Sequence, residues 1–428
     1  MALSRLPTEL IEQIASYLDL PDSGSLRLTH PTLNKQTSHI FKDRFLHQHT
    51  LQWTQEAFCR LVDMTSHPHF GNALHHLIID ATPRHSVHLW HAEQHIAETR
   101  RVSTPYGTAS ATRDLEEQYR ADHRVAEEVA KFFSETRFDR KSLQIVFERQ
   151  QHLDSITFAY NGMHEKYAIF DGRYCESSQQ EMSRPFVSTM SALAASKVQI
   201  RRIQVDNDRP FGAVSIGKLE AIAPSLHYFD HAFERLETLH LHLRDFRYSV
   251  SGFEIDNPPT AFVVRFLAKA RNVRRLQLSC YSRWDVDVFG QMARHCRFDK
   301  LEVCKLSVVQ VMRVEHLLLL LKPAEKTLVQ LSLAWVAFSD PFVSCRDFLG
   351  RVAVEGEEVL PCVENLYLEN LTDYASCRVW LNGLQAQSFG GHGWRGRLAD
   401  ALDQYETKVT EVSWHMGAVR YPFVGLRV

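Results

Sequence analysis

Three histidines, His88, His91 and His95, stand at i, i+3 and i+7, with His85 one turn earlier and Glu98 one turn later. On a helix these side chains share one face. Three imidazole nitrogens are the donor set of a catalytic zinc site. No HExxH pattern accompanies them. The expectation is a solvated polar helix face, with no metal and no cofactor. His75 and His76 lie in a strand-like run, where one would point in and one out, as structural histidines.

Other chemistry has little to build on. No serine sits in a GxSxG elbow. The stretch FGGHGWRGRL at 389–398 lacks the Lys-Ser/Thr of a phosphate loop, and Gly217-Lys218 lacks the preceding glycines. The glycine-rich stretch reads as a turn. Eight cysteines contain no CxxC pair and read as free, buried thiols. Arg201-Arg202, Arg271, Arg274-Arg275 and Arg297 suggest a basic stripe. Acidic residues are interspersed, however, and 49 Lys+Arg against 51 Asp+Glu leave a formal charge of -2. Such a balance gives no support for nucleic-acid binding. No enzymatic activity is expected of the chain itself.

The elements that would position any site come from apolar spacing. A six-residue template (apolar, two variable, apolar, one variable, apolar) recurs along the chain and ends as a short strand would. Its copies are LHHLII from Leu74, LDSITF from Leu153, IRRIQV from Ile200, LETLHL from Leu236, VRRLQL from Val273, LEVCKL from Leu301, LVQLSL from Leu328 and VENLYL from Val363. VTEVSW from Val409 is a degenerate copy. From Ile200 the starts are 36, 37, 28, 27 and 35 residues apart. Helical patterns fill the intervals, as in PPTAFVVRFLAKARN before VRRLQL.

This predicts an α/β protein, an irregular leucine-rich-repeat-like β-α solenoid with helices on one side and strands lining the other. His240, Gln277, Lys305, Ser332 and Tyr367 would face outward. A doubly wound α/β domain is the competing architecture. Insertions are expected near 85–130, 161–183 and 246–259, the first helical at both ends and mobile around 103–112. The apolar run at His316 to Leu321 stops at Lys322 and Pro323, far short of the ~20 residues of a membrane span. Arg5 is followed at once by Pro7 and Glu9, unlike a signal peptide. A cytoplasmic or nuclear protein is expected, without membrane association.

The first 48 residues differ from the rest, 49–428. Pro7 stands at a first helical position. Leu6, Leu10, Ile11, Ile14, Tyr17 and Leu18 follow at helical spacing as one apolar face. Leu20-Pro21 ends this helix, Asp22 or Ser23 caps a second, and a third starts near Thr32. So small a bundle calls for further burial or a partner. It is either a helical cap on the larger domain or a docking surface.

Leu6-Pro7-Thr8-Glu9-Leu10-Ile11, then Ile14, Tyr17-Leu18, Asp22 and Leu26-Arg27-Leu28 resemble an F-box, here a three-helix module. With the repeats behind it, the chain is similar to the F-box proteins with leucine-rich-repeat-like regions common in filamentous fungi. The chain departs from that pattern at Ser23, Thr29 and His30-Pro31. The resemblance implies that Leu6, Pro7, Leu10, Ile11, Ile14 and Leu18 bind a Skp1-like adaptor, and through it a cullin. It implies a substrate-recognition subunit of a ubiquitin ligase whose solenoid holds an unknown target protein. A non-catalytic scaffold of the same fold is the alternative.

Overall fold

The computed structural model describes residues 3–68, 70–102, 109–150, 153–160, 176–206, 214–244, 261–280, 288–338, 343–354, 360–373 and 377–409. Its fold is mixed α/β around a large, mostly parallel sheet. Each template copy from Leu74 to Leu368 forms a strand that starts at the template's third residue. After β1 (Gln48–Gln52) come β2 (His76–Asp80), β3 (Ser155–Ala159) and β4 (Arg202–Val205). The two-residue β5 (Val214–Ser215) pairs with the far end of β6 (Thr238–Arg244). β7 (Arg275–Cys280), β8 (Val303–Ser307), β10 (Gln330–Ala334) and β12 (Asn365–Glu369) complete the parallel series.

Strand order follows chain order from β1 to β12, and β15 (Ala386–Gly390) pairs antiparallel with β12 as the last edge. A doubly wound sheet would reverse its order partway; this one does not. The register aligns Leu77, Ile156, Ile203, Leu239, Leu276, Cys304, Leu331 and Leu366 as neighbours on successive strands. All are buried, as are the template's first residues, from Leu74 to Val363. Against this face the helices pack on one another in chain order. Helix α5 (Gln55–Ser66) meets α8 (Phe138–Arg149), and α8 meets α9 (Glu176–Ala195). Farther on, Val288–His295 meets Val314–Leu321, and Cys345–Val354 meets Trp394–Asp403.

β1 escaped the template because His49 occupies the fourth, apolar position, in register with Leu77. Burial, with the Arg60 guanidinium nearby, lowers the His49 imidazole from its ordinary value. A second small sheet was also not foreseen. Val308, Trp335 and Asn370 leave their strands with φ of 53°, 57° and 48°. That left-handed turn leads into β9 (Gln310–Val311), β11 (Ala337–Phe338) and β13 (Thr372–Asp373), which pair in parallel. β14 (Cys377–Trp380) and β16 (Glu406–Val409) extend this sheet antiparallel. Only Val409 of the degenerate last copy is described, at the end of β16.

The expected insertions divide. Residues 85–102 and 109–130 lie in two helices that pack together, α6 (Arg84–Val102) and α7 (Ala109–Thr136), with Ile96 and Phe133 buried. The stretch expected to be mobile around 103–112 lies largely outside the described residues. So do 161–175; the remainder of that insertion belongs to α9. The insertion at 246–259 lies wholly outside them.

Leu331 is fully buried at mid-sheet. Leu331→Ala should therefore lower unfolding free energy by about 2–5 kcal/mol, measured by urea denaturation. For His49 the folded state favours the neutral ring, so the unfolded chain takes up the proton more readily. The stability due to neutral His49 is present above about pH 6.5 and is lost as pH falls below it. His49→Leu should add ~1 kcal/mol by apolar burial. It should also flatten the loss of thermal stability between pH 7 and pH 5.

Candidate functional site

The N-terminal segment is built from more pieces than three helices. α1 (Thr8–Ser16), α2 (Leu20–Thr29), α3 (Pro31–Gln36) and α4 (Ser38–Phe41) lead into a π-helical turn over Lys42–Leu46. Pro7 is the residue before α1, with extended ψ, rather than its first helical residue. Leu20-Pro21 opens α2 instead of closing α1. Its cap is Asp19, whose carboxylate accepts the Asp22 N–H at 2.9 Å. His30 caps α3 in the same way: its Nδ1 accepts the Thr32 N–H at 3.1 Å, and Pro31 takes the first turn. The Arg44 guanidinium donates to the Ala15 and Leu18 carbonyls at 2.8 and 2.9 Å, satisfying the end of α1.

α1 divides its apolar residues between two stripes. Ile11 and Ala15 are buried, and Leu18 continues that stripe half-buried. Leu10, Ile14 and Tyr17, at i, i+4 and i+7, face solvent, Tyr17 at 81% exposure. The single face expected from sequence is thus two, because residues one apart in sequence stand about 100° apart on a helix. Of the six residues expected at a docking surface, Pro7, Leu10 and Ile14 are exposed, Leu6 and Leu18 are half-buried, and Ile11 is fully buried. Ile11 therefore holds the stripe in place from within. On α2, Leu20 and Leu28 are also exposed, Leu28 at 90%, while Ser23 is buried. Large exposed apolar side chains grouped in this way mark interaction surfaces in soluble proteins.

Arg27 fastens this segment to the larger domain. Its guanidinium lies 4.2 Å from the Phe41 ring centre and 5.6 Å from that of Phe70. The two rings are 5.9 Å apart. Burial lowers the Arg27 pKa, as expected for a cation held against aromatic faces. His47 stacks on His75 at 4.4 Å.

The second surface is the outer face of the large sheet. His240, Gln277, Lys305, Ser332 and Tyr367, all expected to face outward, are direct neighbours across five strands, but His240 and Ser332 are buried and the other three half-buried. At about 4.8 Å per strand the row spans roughly 19 Å. His240 Nε2 lies 2.8 Å from His242 Nε2, and the Tyr367 hydroxyl donates to Glu369 at 2.8 Å. Burial, then that carboxylate, pushes the Tyr367 phenol up to about 12, so it remains a donor at neutral pH.

The remaining candidates take structural places. His88 Nε2 meets the Asp122 carboxylate across the α6–α7 hairpin at 2.9 Å, while His91 and His95 face solvent. Among the described residues, no three His, Cys, Asp or Glu side chains are placed to hold a metal ion. His75 and His76 do not divide inward and outward. Both are half-buried, against Asp154 at 3.4 Å and Ser155 at 2.7 Å on the next copy.

The basic stripe is interleaved with carboxylates. Arg201 pairs with Glu237 at 3.1 Å and Arg274 with Glu302 at 2.6 Å, each from the second template position. FGGHGWRGRL ends β15, turns at Gly391 and Gly393 with φ of 71° and 69°, and starts a helix. Cys280, Cys296, Cys304 and Cys345 are buried as expected, but Cys59 and Cys362 are exposed. Burial pushes the Cys296 and Cys304 thiols up to about 12, unlike a nucleophilic cysteine. Among the described residues no helix is long and apolar enough to cross a membrane.

No family model matches the chain, and a comparison with curated proteins finds no match. The two surfaces therefore rest on their own geometry. Replacing Leu10 and Ile14 together by Ser should leave thermal stability within ~0.5 kcal/mol, as for surface positions. Ile11→Ala should destabilise the segment by about 2–5 kcal/mol. Hydrogen exchange of α1 amides distinguishes the two outcomes.

Proposed function

We propose that this chain is a substrate-recognition subunit of a Skp1-cullin-F-box type ubiquitin ligase. In this reading the N-terminal helices are an F-box that docks a Skp1-like adaptor, and through it a cullin. The sheet and its helices are an irregular leucine-rich-repeat-like solenoid that holds a target protein. The observation that carries the reading is the exposed stripe Leu10, Ile14 and Tyr17 over a fully buried Ile11. A helix that covers its own small core yet leaves an apolar stripe in water is suited to a partner's groove.

Two further features support it. Strand order follows chain order, and every strand keeps one register, which is how stacked repeats are organised. The Arg27 clamp ties the two parts together. Such a receptor acts by proximity: it holds a target lysine near a ubiquitin-charged enzyme, and no side chain of its own performs covalent chemistry.

A non-catalytic scaffold of the same fold is the second reading. Ser23, small and polar at a buried position of α2 where the F-box pattern carries leucine, is the observation in its favour.

A pull-down of the full chain with recombinant Skp1-like adaptor tests the proposal. The wild type should bind. Leu10→Asp with Ile14→Asp should weaken binding by at least ~100-fold, about 2.7 kcal/mol. Because both side chains are partly in water, the variant should keep the wild-type circular dichroism spectrum. Absence of binding by the folded wild type would leave the scaffold reading.

A further inference from the structure

On the helical side of the molecule, where α7, α8, α9 and the segment after β5 meet, lies a cleft of about 540 Å³. That is within the size range of small-molecule sites. Its walls carry Arg137, Arg140, Arg184 and Lys218 against one carboxylate, Asp139. Arg184 is paired with Asp139 and Lys218 is engaged as well, which leaves the Arg137 and Arg140 guanidiniums as the unmatched charge of the lining.

Asp139 is already engaged. It is buried, accepts from Arg184 Nε at 2.7 Å and from the Ser188 hydroxyl at 2.8 Å, and Arg184 also donates to Ser134 Oγ at 3.1 Å. This network fixes Arg184 in the wall and uses up the only negative charge there. Arg137 and Arg140 have no ion-pair partner among the described residues.

Arg137 is also the residue that joins α7 to α8, with φ 52° and ψ 35°. Its N–H donates to the Phe133 carbonyl at 3.0 Å, closing α7 with a left-handed residue. Glycine is the usual occupant of such a position because it has no Cβ to clash. An arginine there is strained, and what it adds is a guanidinium at the cleft. Strain of this kind is retained where the surroundings or a ligand require it. The N-terminal end of α8, twelve residues long, opens beside the same wall and adds positive potential.

We propose that this cleft binds a small organic phosphate, a sugar- or nucleotide-sized phosphate monoester. Guanidinium forks, serine hydroxyls and a helix N-terminus together match the charge and the several acceptor oxygens of a phosphate. Val187, Ala221 and Pro224 supply an apolar wall for the rest of the molecule. The site lies among the helices and is separate from both the N-terminal stripe and the outer sheet face, so it does not depend on the ubiquitin-ligase reading.

The test is isothermal titration of the full chain with ribose 5-phosphate, adenosine monophosphate and inorganic phosphate, with sodium sulfate as the ionic control. At least one organic phosphate should saturate with a Kd below ~1 mM and bind at least ~10-fold tighter than sulfate. Arg140→Gln should weaken it by ~10-fold or more. Arg137→Gly should weaken it similarly while melting no lower than the wild type, since glycine relieves the left-handed strain. The proposal is overturned if none of the probes saturates below ~10 mM, if sulfate binds as well, or if both folded variants bind like the wild type. It is also overturned if a phosphoserine peptide binds while all the small phosphates fail, which would make the cleft a protein-docking site.

Discussion

One backbone contact repeats from end to end of the large sheet, and the rest of the structure is arranged around it. The carbonyl of the second template residue accepts two N–H groups from the next copy, those of its second and third residues. His47 O receives His75 and His76, Asp154 O receives Arg201 and Arg202, and Glu237 O receives Arg274 and Arg275. Glu302 O then receives Val329 and Gln330. A shift of one residue in any copy would break this contact and turn the copy's apolar residues to the wrong face.

With the register held, side chains at one template position become neighbours, whatever the distance between them in sequence. That is why the second-position residues form a ladder of opposite charges, Arg201 with Glu237 and Arg274 with Glu302. Each such exposed pair contributes little stability, about 0–1 kcal/mol. Their arrangement matters more for what it removes: two of the six arginines that looked like a basic stripe are matched with carboxylates. Arg137 and Arg140, without such partners among the described residues, line the cleft between α7, α8 and α9.

The N-terminal segment follows a different logic. It has too few residues to enclose more than Ile11, Ala15 and Leu33, and none of these belongs to the continuous core that runs from Leu51 to Leu402. It is positioned by side chains: Arg44 on the end of α1, and Arg27 between Phe41 and Phe70. An apolar stripe left in water on a segment so anchored is held at a set place relative to the sheet.

The sequence by itself located eight of the parallel strands, β2 to β4, β6 to β8, β10 and β12, and their inward apolar residues, because period-two alternation after a leading apolar residue is a local pattern. It placed His240, Gln277, Lys305, Ser332 and Tyr367 at one template position, but expected all five to face outward, whereas His240 and Ser332 are buried and the other three half-buried. It missed β1, where His49 interrupts the pattern, and the short strands after Val308, Trp335 and Asn370, whose left-handed turns no local preference announces for valine or tryptophan. On α1 the residue types predicted an apolar face, but only packing against α3 and α4 decided that Ile11 goes inside while Leu10 and Ile14 stay out. The cleft between α7, α8 and α9 was invisible for the same reason. Arg137, Arg184 and Lys218 come from three separate segments, and charges so far apart along the chain meet only when helices stack in register behind the sheet.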